Sequence, residues 1–146
     1  MKIVKGNVNN LEDLIPLFNG YRLFYEQSID EEGSKNFLFA RIQKEESAIY
    51  IAYDKGIAVG FVQLYPFFSS VGMQRAFILN DLFVDPACRK KGIGKALMKK
   101  AFQFCEEEKA RFVTLQTATN NHNAKALYDY MGMHLDKESD YYIKYL

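Results

Sequence analysis

The sequence predicts an α/β fold, a central mixed β-sheet flanked by helices, running β-α-α-β-β-β-α-β-α-β along residues 1–146 as one domain. Three observations lead there. Stretches with apolar residues at helical spacing are interleaved with short β-branched and aromatic runs. The tripeptide Asp54-Lys55-Gly56 joins two of those runs as a hairpin turn. The chain, 146 residues and 49% hydrophobic, is long enough for one buried core, and neither a repeat nor a linker divides it.

In chain order, residues 2–4 form a short strand. Asn10, with Asp13 behind it, is the N-cap expected for an amphipathic helix carrying Leu11, Leu14, Ile15, Leu17 and Phe18. Pro16 lies in its path, and the pattern resumes at residues 21–25. Residues 34–43 predict a second helix through Phe37, Leu38, Ala40 and Arg41. Residues 48–53, 58–65 and 75–84 are β-rich. Ile93, Ala96, Leu97, Ala101, Phe104 and Cys105 share one face of a third helix. A strand at 112–117, a short helix at 124–130 stopped by Gly132, and a closing strand at 141–145 complete the series.

Composition excludes several classes. A net charge of +1 argues against a broad nucleic-acid surface, and no stretch reaches the ~18 apolar residues of a membrane span. The charged N-terminus lacks a signal-peptide core, so the expected compartment is cytoplasmic. Cys88 and Cys105 make no disulfide framework, and His122 and His134 have no partner at metal spacing, so no metal is expected.

Residues 79–95 carry the chemistry. A strand ends at Val84, Pro86 stops it, and a turn with Gly92 and Gly94 opens a helix, a ready anion site. A P-loop fails, because Arg89 stands where its first glycine belongs and Ala96 follows Lys95; a dinucleotide fingerprint fails at Leu97. Charge adds to the signal. Arg89, Lys90, Lys91, Lys95, Lys99 and Lys100 crowd the front of this helix, and Glu106-Glu107-Glu108 its end. That order opposes the helix dipole, at about 0.3–1 kcal/mol per charge, and is explained if the cations serve a polyanion.

Arg89-x-x-Gly92-x-Gly94 after Val84-Asp85-Pro86 resembles motif A of the GNAT acetyltransferase superfamily, and Asn121-x-x-Ala124-x-x-Leu127-Tyr128-x-x-x-Gly132 resembles its motif B. The two stand in family order, and the resemblance, nearest to small-molecule and polyamine-type acetyltransferases, covers almost the whole chain. It implies acetyl-CoA as acyl donor. The N–H groups of Lys90, Lys91, Gly92, Ile93, Gly94 and Lys95 would hold the pyrophosphate, with Arg89 ordering the loop. Leu82, Phe83 and Val84 would pair with the pantetheine arm and polarise the thioester carbonyl, in a slot where the strand at 112–117 splays away. Asn121, Asn123 and Ala124 would contact the cofactor, and Tyr128 would be the general acid.

The base stays open. Relatives read Leu-Glu-Asp where this chain has Leu79-Asn80-Asp81, and Asn80 cannot be a base. Asp81 is the nearest carboxylate, although strand alternation sends 80 and 81 to opposite faces; Glu26 and water are the other candidates. Tyr25, Glu26 and Asn80, with Tyr21, Gln63, Tyr65, Phe67 and Phe68, are the expected acceptor surface, suited to an amine cation. The implied function is acetyl transfer from acetyl-CoA to a small-molecule primary amine by direct attack in a ternary complex. Alternatives are a protein or peptide acceptor, or a non-catalytic acyl-CoA-binding domain. Neither nucleic acid nor membrane is an expected partner, and the family, with the run Tyr141-Tyr142-Ile143, suggests a homodimer.

Overall fold

A computed structural model describes all 146 residues. They group into two compact units, Met1–Gln116 and Thr117–Leu146.

In the first unit five strands lie in sequence order: β1 (Lys2–Lys5), β2 (Ala48–Asp54), β3 (Ile57–Ser69), β4 (Gln74–Val84) and β5 (Val113–Thr114). All neighbours are antiparallel except β4 and β5, so the sheet is mixed, as expected. The β2–β3 turn has Lys55 at φ 51° and Gly56 at φ 79°, the two left-handed residues of a type I′ hairpin.

Alternation sends the two faces of the sheet to different helices. Ile49, Ile51, Phe61 and Phe83 join Leu11, Leu14, Ile15, Leu17 and Phe18 of α1 (Leu11–Phe24) and Leu38 of α2 (Glu31–Gln43) in one core. On the other face Tyr50 and Phe77 meet Phe104 of α3 (Ile93–Glu107) at centroid distances of 5.9 and 5.2 Å. The sheet is tightest at Gly60, where a Cβ would stand 2.9 Å from the Phe83 carbonyl oxygen and 3.2 Å from Leu97.

Several local expectations shift. α1 is one continuous helix with Pro16 inside it, at the loss of the bond Pro16 would have donated to Glu12. Asn10 holds the N-cap position, but its side chain accepts from Asn7 N–H instead of capping α1. α2 starts three residues earlier than expected, at Glu31, because Asp30 accepts from Gly33 N–H at 2.9 Å. Buried Asn19 accepts from the Ser34 hydroxyl at 2.8 Å and ties α1 to α2. The three helices share one ending: Glu26, Glu45 and Lys109 sit left-handed just past them, in Schellman-type turns whose last N–H reaches back to Arg22, Arg41 and Cys105.

The second unit holds α4 (His122–Tyr130), capped by Asn121 and closed by Gly132 at φ 86°. The expected closing strand at 141–145 does not form. β-propensity alone cannot hold a strand, and no ladder offers that segment a partner. No helix is long and apolar enough to cross a membrane.

Candidate active site

The loop between β4 and α3 leads into a helix start that no side chain caps. Asp85 accepts from Ala87 N–H at 2.9 Å and starts a short 3-10 turn, Pro86–Cys88. Arg89 then folds back: its Nε donates to the Val84 carbonyl at 2.9 Å, and its guanidinium lies 5.6 Å from the Phe83 ring centroid. Arg89 thus orders the loop, the role expected of it. Lys90 (φ 63°) and Gly92 (φ 80°) are left-handed, and the first helical bond runs from Ala96 N–H to the Gly92 carbonyl. The N–H groups of Ile93, Gly94 and Lys95 therefore precede the ladder.

Of the four helices, only α3 has neither a capping side chain nor an acid in its first turn; α2 and α4 have Asp30 and Asn121, and α1 has Glu12 and Asp13. Lys90, Lys91 and Lys95 are exposed around it. A terminus that concentrates positive potential and supplies no counter-charge of its own fits a phosphate-bearing ligand.

Beside that loop, β4 has an open edge. Pairing to β5 covers only Phe77 with Val113 and Ile78 with Thr114, and β4 runs on to Val84 unpaired on that side, the expected splay. Asp85 N–H donates to Val59 across β3, so the Phe83 groups also turn toward β3. By the same alternation the N–H and C=O of Leu82 and the N–H of Val84 point out of the open edge. An extended amide chain would find its partners on Leu82 and Val84, with Phe83 committed to the sheet.

The centre of β4 is bulged. Gln63 pairs with Asp81 and Leu64 with Leu79, so Asn80 is an extra residue. Two consequences follow. Phe77 faces α3, whereas Phe83, an even number of residues on, faces α1. And the simple alternation expected of 80 and 81 breaks: Asn80 Nδ2 donates to Asp81 Oδ1 at 2.7 Å, so the two side chains act together.

Asp81 is 1% exposed. Its other oxygen accepts from Gln63 Nε2 at 2.6 Å, and Gln63 Oε1 accepts from the Ser47 hydroxyl at 2.8 Å. Burial pushes the carboxyl above its ordinary value, opposed by the hydrogen bonds from Asn80 and Gln63. Tyr21 donates to the Asn80 carbonyl at 3.1 Å, and burial, then the Asp81 charge, pushes its phenol well up. Tyr65 is raised by the same two causes.

The structure brings Tyr21, Gln63, Tyr65 and Asn80 together around Asp81. Tyr25 packs against Tyr21 with the rings tilted by 59° and their centroids 5.0 Å apart, and is half exposed, with Glu26 next to it at an exposed left-handed turn. Phe68 is not part of the group: it is exposed at the far end of the β3–β4 hairpin, beneath Arg75. Phe67 packs on Phe112 at 5.8 Å. Ser47 was missed, since nothing in its polar surroundings marks it.

In the second unit, Asn121 Oδ1 accepts from Ala124 N–H at 3.3 Å, which occupies that N–H as a helix cap. Asn123 is exposed, and Tyr128 lies half-buried two residues before the end of α4. No group of three His, Cys, Asp or Glu side chains could hold a metal ion.

The family model of the GNAT acetyltransferases matches residues 13–133. An uncharacterized N-acetyltransferase of Bacillus subtilis (strain 168), YhfO, is 44% identical over 136 residues, covering 93% of this chain and 91% of the relative. The crystal structure of a protein described as a probable acetyltransferase superposes with a TM-score of 0.95 at 34% identity, over 100% of this chain and 98% of the other. An aminoglycoside N-acetyltransferase crystallised in complex with CoA shares the fold, with a TM-score of 0.82 at 19% identity over 98% and 93% of the two chains. With the family model matching residues 13–133 and a 44% identical N-acetyltransferase covering 93% of it, the chain belongs to the GNAT family of acetyltransferases.

Proposed function

We propose that the chain transfers the acetyl group of acetyl-CoA to the primary amine of a small molecule, by direct attack in a ternary complex and without a metal. The observation that carries the reading is the uncapped, acid-free start of α3 next to the open edge of β4. The N–H groups at Ile93, Gly94 and Lys95, with Lys90, Lys91 and Lys95, hold the diphosphate. Leu82 and Val84 hold the pantetheine amides. Bound acetyl-CoA supplies the activated acyl group.

Asp81, its proton affinity raised by burial, takes the proton that the attacking ammonium sheds, through the exposed Asn80 surface; Glu26 and water are the competing bases. As the C–N bond forms and the C–S bond breaks, Tyr128 donates its proton to the departing thiolate, and the second proton shed by the acylated nitrogen returns through solvent to restore the phenol; motif B assigns this role. Asn121, Asn123 and Ala124 line the cofactor on the same argument. The protein works in the cytoplasm, consistent with its two free cysteines, and as a homodimer, which light scattering checks.

CoA should raise the melting temperature, and Gly92→Glu, which adds a side chain at φ 80° and a negative charge at the helix start, should abolish the rise. A shift that survives the substitution removes the diphosphate assignment. An acetyl-CoA consumption screen over polyamines, amino acids, aminoglycosides and peptides then identifies the acceptor. Peptides belong in it because Asn80 and Tyr25 are exposed and not enclosed. Binding of CoA without turnover on any amine would leave a non-catalytic acyl-CoA domain.

A further inference from the structure

Gln63 is fully buried in β3 and has no part in the steps above. A buried amide needs partners at both ends, and those of Gln63 are not interchangeable. An ionised carboxylate only accepts, so the Gln63 NH2 must face Asp81, as it does at 2.6 Å. The oxygen at the other end then needs a donor, which the Ser47 hydroxyl, in the α2–β2 connection, supplies at 2.8 Å. Without that hydroxyl, one amide orientation buries an unmatched oxygen and the other sets two oxygens against each other.

Asp81 has no cation to fall back on. The ion pairs Lys35–Glu12 and Arg41–Glu46 lie elsewhere, and no cation is among the groups that set its proton affinity. The titratable groups packed around it are Tyr21 of α1, with Tyr25 beside it, and Tyr65 of β3; the charge of Arg41 in α2 acts on Tyr65. Burial raises the phenols of Tyr21 and Tyr65, which stay neutral across the physiological range, and the carboxylate is held by the neutral amides of Asn80 and Gln63.

We propose that Gln63, held in one orientation by Ser47, is a positioning residue that keeps Asp81 ionised and fixed beneath Asn80. Its effect on turnover rests on Asp81 being the base; its hold on the carboxylate does not. The test separates the two. In the free protein, the protonated-carboxyl infrared band that disappears in Asp81→Asn is titrated against pH. In Gln63→Leu its midpoint should rise by about one pH unit, because a donor to the charged form is lost. Ser47→Ala should move it the same way by less, and Ser47→Thr should restore it. The acid limb of kcat/KM, for the acceptor found by the screen, should follow each shift.

An infrared midpoint unmoved in Gln63→Leu overturns the proposal. If circular dichroism shows that this variant fails to fold, an unmoved midpoint in Ser47→Ala does the same. An acid limb that persists in Asp81→Asn overturns the base assignment, whatever the infrared midpoints do.

Discussion

At the scale of single residues, proton transfer needs two groups with different environments. Asp81 is a carboxyl whose burial outweighs its two donors, Asn80 and Gln63, so its proton affinity is raised. A base works only when ionised, and the ionised fraction of a raised carboxyl is lost at a higher pH than for an exposed one. The acid limb of kcat/KM should therefore lie above the ordinary carboxylate range and vanish in Asp81→Asn, as measured over a pH series. For Tyr128, loss of the hydroxyl should lower kcat by about 10²-fold while the calorimetric affinity for CoA stays the same. Unchanged turnover in Tyr128→Phe removes its acid role.

At the scale of elements, the helix ends and the strand crossings dictate which substitutions are tolerated. Lys109 is a non-glycine residue at φ 56° past the end of α3. Lys109→Gly should stabilise the protein by about 0.5–1 kcal/mol, seen as a higher urea midpoint with an unchanged m-value. Gly60→Ala should go the other way, by about 1–3 kcal/mol, because the new methyl meets a carbonyl oxygen that cannot move without the β3–β4 ladder. The sequence was most legible at this scale. The face of α3, the hairpin at 54–56 and the stop at Gly132 all follow from spacing and turn chemistry. The bulge at Asn80 did not: Phe77, Leu79, Asp81 and Phe83 read as unbroken alternation, and only the register with β3 reveals that the pattern changes faces midway. The network of Ser47 and Gln63 was hidden for a related reason. Its partners lie 16 and 18 residues apart and meet only once three strands are aligned. The closing strand at 141–145 failed because aromatic composition describes a residue's preference and not the presence of a neighbour to pair with.

At the scale of the whole molecule, the net charge of +1 is a cancellation, with the cations of residues 89–100 offset by acids placed elsewhere. Binding of a polyanion should respond to the local block and not to the total. The dissociation constant for CoA should rise several-fold between about 0.05 and 0.5 M salt, over which the Debye length falls from roughly 14 to 4 Å. A salt-independent constant would mean that the lysines around α3 carry none of the affinity.

The inserted residue in β4 also dictates how this strand can vary. Replacing Asn80 removes one donor to Asp81 but leaves the register of β4 intact, and the chain should still fold. Deleting it makes Leu79 and Asp81 neighbours, which face opposite sides of a regular strand, so Phe77 and Leu79 stay toward α3, Asp81 and Phe83 stay toward α1, and the register with β3 becomes regular. For the fold, position 80 is thus open to loss as well as to substitution, and what the inserted residue adds is the donor it aims at Asp81.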